Sequence, residues 1–131
     1  MATRSYIFTE TSDSNFVGSY CHWDGYPEGV GKTLTDNYYT SETVSKLCSI
    51  GGFSTLQETV EETAKSKYEG HDPMHAENVQ CLPDLLGGCA YDVDYVYLFR
   101  NNEWFVYETL YGEGSMEGWH VRTLLTLKTA E

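Results

Sequence analysis

The stretch HWDGYPEGVGKTL, residues 22–34, brings together an imidazole, an indole, two carboxylates, a phenol, an ammonium and three glycines. Its ending, Gly31-Lys32-Thr33, has the letters of a phosphate-binding loop. That loop needs a glycine, four residues and then Gly-Lys-Ser/Thr, so that consecutive backbone N–H groups curl inward around the phosphates. Here Tyr26 stands where the first glycine belongs, and Gly25 is one residue too far away. Between Gly25 and Gly31 lie Pro27, which lacks an N–H, and Glu28, whose charge repels phosphate. The spacing therefore excludes a true phosphate loop. It leaves a glycine-rich turn on which His22, Trp23, Asp24, Tyr26, Glu28 and Lys32 are the candidate binding residues.

Other residues in the chain carry chemistry of their own. Cys21 beside His22 has the ingredients of a thiol nucleophile with Asp24 as orienting group, but neighbours on a strand point to opposite faces, so thiol and imidazole cannot readily share a proton. His22 and Asp24, two apart, share a face and form either a binding handle or a hydrogen bond that fixes the turn. His71, His75, Cys81 and Cys89 offer the nitrogen and sulfur donors that suit zinc, yet their H-x3-H-x5-C-x7-C spacing matches none of the usual structural zinc patterns. Loop histidines with two reduced thiols are the plainer reading. Asp24, Glu28, Asp92, Asp94 and Glu108 are carboxylates that could converge for acid–base work, although an acidic chain always offers such pairs. Arg4, Lys32 and Arg122 could form a small cationic spot near the turn, suited to one anionic ligand such as a nucleotide. No catalytic residue and no cofactor is assigned.

The elements that must position these residues follow from periodicity. RSYIFTE and NFVGSYCHW are β-rich runs around the turn formers TSDSN, an antiparallel hairpin with its first strand ending near Glu10 and its second beginning near Phe16. Leu34 and Tyr38, four apart, predict a short helix from Gly31. Thr40 or Ser41 caps a second helix with apolar face Val44, Leu47 and Cys48, stopped by Gly51-Gly52. A third is predicted from a Ser54/Gln57 capping box with Leu56, Val60, Ala64 and Tyr68 on one side and a Glu61–Lys65 pair. Residues 70–89 lose all periodicity and read as a long loop. YVYLFRNNEWFVYETL is a second hairpin about Asn101-Asn102, and GWHVRTLLTLK fits a strand or a helix equally. The fold class is α+β: an antiparallel sheet of about four strands, from two hairpins, with two or three helices packed on one face, all in a single domain spanning 1–131.

Bulk composition narrows the function classes. With 131 residues, 40% hydrophobic and 15% aromatic, the chain can bury a core and is not disordered. Twenty acidic residues against eight basic ones give a net charge of −12, a field that repels nucleic acid and anionic lipid and either serves solubility alone or attracts a basic protein surface. Eleven tyrosines and three tryptophans exceed what a core of this size takes with every polar end satisfied. Some of Tyr20, Trp23, Tyr26, Tyr38, Tyr39, Tyr95, Tyr97, Trp104 and Tyr107 are therefore expected at a surface, forming either a recognition interface or a polar-rimmed sheet face under the helices. No run approaches the ~20 apolar residues of a membrane span, and MATRSYIFTE has no apolar signal region, which together predict a cytoplasmic protein with reduced thiols.

The segments TRS (3–5), YCHWDGYPEGVGKTL (20–34), SETVSKLCSIGGFSTL (41–56) and YVYLFRNNEWFVYE (95–108) resemble a family of small uncharacterised proteins encoded by bacteriophages and integrated mobile elements. The resemblance covers both ends and the 20–56 core but not His71 to Cys89. It implies that the glycines of 25–31 belong to a strand-to-helix turn, and it implies a setting, the cytoplasm of a bacterial host, without supplying an activity. In that setting the expected function is an acidic antagonist of a host defence component, an anti-CRISPR-like inhibitor covering a basic nucleic-acid-binding surface, and not an enzyme. The alternatives are a protein that sequesters a nucleotide or other small anion, and a small enzyme of unknown reaction.

Overall fold

The structure is a computed structural model that describes residues 3–10, 16–66, 74–76, 94–100, 103–109 and 121–127. Its centre is one mixed sheet. Strands β1 (Ser5–Glu10) and β2 (Phe16–Cys21) form the first hairpin, in register from Ser5 opposite Cys21 to Glu10 opposite Phe16. A π-helical turn, Pro27–Gly31, runs into α1 (Lys32–Asn37), followed by α2 (Ser41–Cys48), the short β3 (Gly52–Phe53) and α3 (Val60–Ala64). The chain returns through β4 (Met74–Ala76), β5 (Tyr95–Arg100), β6 (Glu103–Thr109) and β7 (Val121–Leu127). Five long strands thus lie in the order β2-β1-β5-β6-β7, and the two short ones, β3 and β4, both pair with the outer side of β2.

Two hairpins were expected, and both form: Arg100 faces Glu103 across the second, so two residues connect its strands. An all-antiparallel sheet of about four strands does not form. β1 pairs β5 in parallel, Ser5 opposite Tyr95 through Thr9 opposite Phe99, and β2 pairs β3 in parallel. The reason is connectivity. Each hairpin is local, but β2 ends and β5 begins at the same end of the sheet, where Ser5 lies opposite both Cys21 and Tyr95. β5 therefore runs antiparallel to β2 and parallel to β1 between them, while β2 and β3 are joined by a crossover through α1 and α2. Inside the expected 70–89 loop, Met74–Ala76 is a strand antiparallel to β2. The ambiguous C-terminal segment resolves to a strand because β6 offers it an edge.

The helices lie against the sheet face that carries Ile7, Val17, Ser19, Cys21, Tyr97, Phe99, Trp104 and Val106. Val44, Leu47 and Cys48 form the buried face of α2, as their spacing predicts, with Thr40 capping by accepting the Thr43 N–H. Ser19 ties that helix down, donating to the Leu47 carbonyl (2.9 Å) and accepting from the Gly51 N–H (3.0 Å). Gly51 sits at φ 110°, where a side chain is strained, and so provides the expected stop. The Trp104 indole N–H donates to the Tyr38 carbonyl (2.8 Å), fastening the end of α1 over β6. The opposite face is not left to solvent: Tyr6, Phe8, Phe16, Tyr20, Val96 and Leu98 are buried too.

The third helix is shorter than its periodicity predicts. Thr59, not Ser54, caps it, accepting from the Glu62 N–H (3.1 Å). Tertiary pairing claims the earlier residues. The Ser54 carbonyl accepts the Trp23 N–H, the Ser54 N–H donates to Ser66, and the Gln57 carbonyl accepts the Tyr38 hydroxyl (2.8 Å). Lys65 accordingly pairs with Glu62 (3.9 Å), not with Glu61.

Candidate functional site

The turn after β2 is held from three sides and by bonds of its own. The His22 and Trp23 N–H groups donate to the Phe53 and Ser54 carbonyls (3.1 and 2.9 Å), and the Gly25 N–H donates to the Thr3 carbonyl (2.9 Å). Within the turn the Gly29 N–H reaches the Tyr26 carbonyl and the Val30 N–H reaches the Asp24 carbonyl, both at 2.9 Å. From the sheet below, the buried Tyr97 hydroxyl donates to the Gly25 carbonyl at 2.7 Å. Asp24 adopts φ 61°, a conformation Asp and Asn tolerate better than most side chains. Room decides the glycines. A Cβ at position 25 would stand 2.8 Å from the Thr3 carbonyl oxygen and 2.9 Å from Ser5 Cβ, and one at 29 would stand 2.6 Å from the Asp24 carbonyl oxygen. The glycine spacing that imitates a phosphate loop therefore serves close backbone packing.

Beside this turn runs a groove of about 270 Å³, lined by Asp24, Glu28, Gly29, Val30 and Lys32, by Thr33, Asp36 and Asn37 of α1, and by Leu56 and Glu58. Three of the candidate residues, Asp24, Glu28 and Lys32, are in that lining. Tyr26 borders it: its hydroxyl donates to Asp24 Oδ1 (3.1 Å), and its ring covers Gly29 so closely that a Cβ there would meet it at 3.1 Å. That bond and the Asp24 charge raise the Tyr26 pKa above the usual phenol value. Trp23 is 43% exposed and Tyr26 39% exposed, although both side chains carry more apolar area than most in the chain.

His22 goes elsewhere. Its Nδ1 hydrogen-bonds the Tyr20 hydroxyl (2.8 Å), and its ring meets Trp23 edge-on with centroids 4.8 Å apart. The expected shared face for His22 and Asp24 fails because β2 ends at Cys21 and the positive φ at Asp24 turns the chain away from strand geometry. Asp24 takes Tyr26 as its partner instead.

Electrostatics set the kind of ligand the groove suits. Among the described residues of the lining, four carboxylates, Asp24, Glu28, Asp36 and Glu58, accompany one ammonium, that of Lys32. Lys32 is bound to Asp36 at 2.9 Å, which raises its pKa and keeps its charge engaged along α1. Of the three expected cationic residues, Lys32 is in the groove lining. Arg122 is on β7, four strand spacings or roughly 19 Å from β2 across the sheet, and Arg4 directly precedes β1, its backbone N–H donating to the Asp94 carboxylate (3.1 Å). A nucleotide phosphate in this groove would meet net negative charge, whereas a guanidinium or ammonium would be attracted.

The remaining candidates divide cleanly. Cys21 is a core residue whose thiol donates to the Trp23 carbonyl (3.3 Å), and burial pushes its pKa up to about 12, the reverse of what a nucleophile needs. Cys48 is likewise buried, its thiol donating to the Ile7 carbonyl (3.3 Å), with its pKa raised by burial. Of the zinc candidates, His71, Cys81 and Cys89 lie outside the described residues, and His75 is placed by its backbone opposite Val17. Among the described residues no group of three or more His, Cys, Asp or Glu side chains could hold a metal ion. Asp94 accepts from the Arg4 backbone N–H and is not part of the groove lining, and Asp92 lies outside the described residues.

Sequence reasoning missed Asp36, Leu56 and Glu58. Asp36 was within reach, since it follows Lys32 by four on a predicted helix, the spacing of a side-chain pair. Leu56 and Glu58 arrive only because the 54–58 segment docks on the turn. Among the described residues no helix is long and apolar enough to cross a membrane. Comparison of the chain with protein-family models, curated proteins and solved structures found no match to any of the three.

Proposed function

We propose that the protein acts by binding, as an acidic ligand for a basic surface of another protein. The observation that carries this reading is the 23–28 turn, where exposed Trp23 and Tyr26 alternate with exposed Asp24 and Glu28 on a rigid support, in a chain of net charge −12. Exposed aromatics on a preorganised backbone lose little entropy on docking, and surrounding like charge steers a basic partner toward them. In the bacteriophage or mobile-element setting that the sequence resembles, the partner proposed is a host defence component, such as a CRISPR effector, whose nucleic-acid channel is basic. The protein would cover that channel without contacting nucleic acid itself, in the cytoplasm of the bacterial host.

The test is competition under salt. The tagged protein is incubated with purified guide-loaded CRISPR effectors at 50 mM and 500 mM NaCl, with and without target DNA. The reading expects a complex that weakens at least tenfold at high salt and that excludes DNA, since contacts between exposed charges are screened beyond about 10 Å at 0.1 M ionic strength. Complexes indifferent to salt and compatible with bound DNA would remove the charge-mimic reading.

A further inference from the structure

Within that reading, on which this step rests, the groove beside the turn has features of its own. It is neither an even acidic surface nor an apolar cleft. Beside its lining stands Tyr26, whose ring edge approaches Gly29 and whose hydroxyl takes one oxygen of the Asp24 carboxylate. Exposed Trp23 precedes that aspartate directly. Glu28 and Glu58 have no ion pair among the described residues, while Lys32 is already engaged at Asp36 farther along α1. Val30 and Leu56 supply apolar wall.

A planar cation matches this better than a point charge. An arginine presents donors in a fixed fork that can serve carboxylates while its face stacks on an aromatic ring, and it is weakly hydrated, so entering a partly apolar groove costs it little. Lysine offers a strongly hydrated ammonium with no face to stack. We infer that the groove between the 24–29 turn and α1 is a seat for one arginine side chain of the basic partner, its guanidinium on the Asp24 and Glu28 carboxylates and its plane against Tyr26. The occupant is thus an arginine-bearing protein segment, chosen over a lysine-rich one by the exposed aromatics and over an anion by the four carboxylates.

The probe is the acetylated, amidated peptide GRGGRGGRG, with analogues carrying lysine or the neutral citrulline in place of arginine, titrated at 25 mM NaCl into isotopically labelled protein. The expected result is saturable amide shifts concentrated at Gly25, Gly29 and Val30 and at the Trp23 indole, at least threefold weaker binding of the lysine peptide, and none of the citrulline peptide. The double variant Asp24→Asn, Glu28→Gln should weaken arginine-peptide binding at least tenfold. Asn keeps the positive φ at position 24, and an unchanged melting temperature establishes that the turn survives. Glu28→Gln alone, which alters an exposed side chain, should lose several-fold and serves if the double variant melts early. Equal affinity for the arginine and lysine peptides, with shifts scattered over the acidic surface, overturns the arginine seat and leaves the basic-partner reading standing. Failure of both peptides to bind at low salt also overturns the arginine seat, while the basic-partner reading is decided by the effector competition.

Discussion

Removing one oxygen atom tests how the sheet supports the turn. In Tyr97→Phe the ring keeps its place in the core, but the Gly25 carbonyl loses a 2.7 Å donor that reaches it from β5. Gly25 is itself buried, so solvent does not readily replace that donor. A net hydrogen bond contributes about 0.5–1.5 kcal/mol, and a buried acceptor left without a partner raises the loss to about 1–3 kcal/mol. Taking about 2 kcal/mol and a urea m-value of about 2 kcal/mol/M, the unfolding midpoint should fall by about 1 M with m unchanged. Equilibrium urea unfolding followed by tryptophan fluorescence measures this. Amide hydrogen exchange adds the location: protection should fall first at Gly25, Gly29 and Val30, which belong to the anchored turn, and not at β6. A midpoint within about 0.15 M of the parent, an effect near 0.3 kcal/mol at that m-value, would refute the argument that Tyr97 carries the turn.

The other predictions concern the same support and the core beneath it. Gly25→Ala places a methyl 2.8 Å from a backbone oxygen, and overpacking of this kind should destabilise by about 1–3 kcal/mol in thermal or urea unfolding. Thr40→Ala removes the cap that accepts the Thr43 N–H, for a loss of about 1 kcal/mol and early exchange confined to the first turn of α2. Native protein treated with iodoacetamide at pH 8 should leave Cys21 and Cys48 unlabelled in peptide mapping, and both should react fully in denaturant, because burial keeps both thiols protonated. The same two groups make stability alkali-sensitive. Their folded pKa values lie above the ordinary thiol value, so their contribution is complete below about pH 9 and is lost as pH rises toward 12, at up to about 1.4 kcal/mol per pH unit for each thiol. Urea midpoints at pH 8, 9 and 10 measure that slope, and the double variant Cys21→Ser, Cys48→Ala should flatten it.

Local signals in the chain were reliable where the element closes on itself. Thr40, Val44, Leu47, Cys48 and Gly51 spell out α2 with its cap and stop, and the structure has that helix. Both hairpins were equally legible, since alternating β-formers on either side of a short polar turn need no distant partner. The Ser54/Gln57 box was as good a signal as Thr40 and misled, because the Ser54 and Gln57 backbones are recruited by Trp23, Ser66 and Tyr38. A capping box contributes about 1 kcal/mol, which several tertiary hydrogen bonds outweigh. The binding residues show the same division: Asp24, Tyr26, Glu28 and Lys32 were drawn to one place by their closeness in sequence, while Glu58 and Leu56 joined them from outside it.

By itself the sequence determined the sign of the molecule's field, the two hairpins, the first two helices and the failure of the phosphate-loop spacing, all of which depend on composition or on residues within about one turn of each other. Only the tertiary structure decided that β1 and β5 run parallel, that β1, β2 and β5 bury side chains on both faces, that His22 bonds Tyr20 while Asp24 bonds Tyr26, and that the glycine-rich turn opens onto an acidic groove. Those outcomes are set by contacts between segments distant along the chain, such as the Tyr97 hydroxyl on the Gly25 carbonyl, and no local pattern encodes which distant partner will arrive.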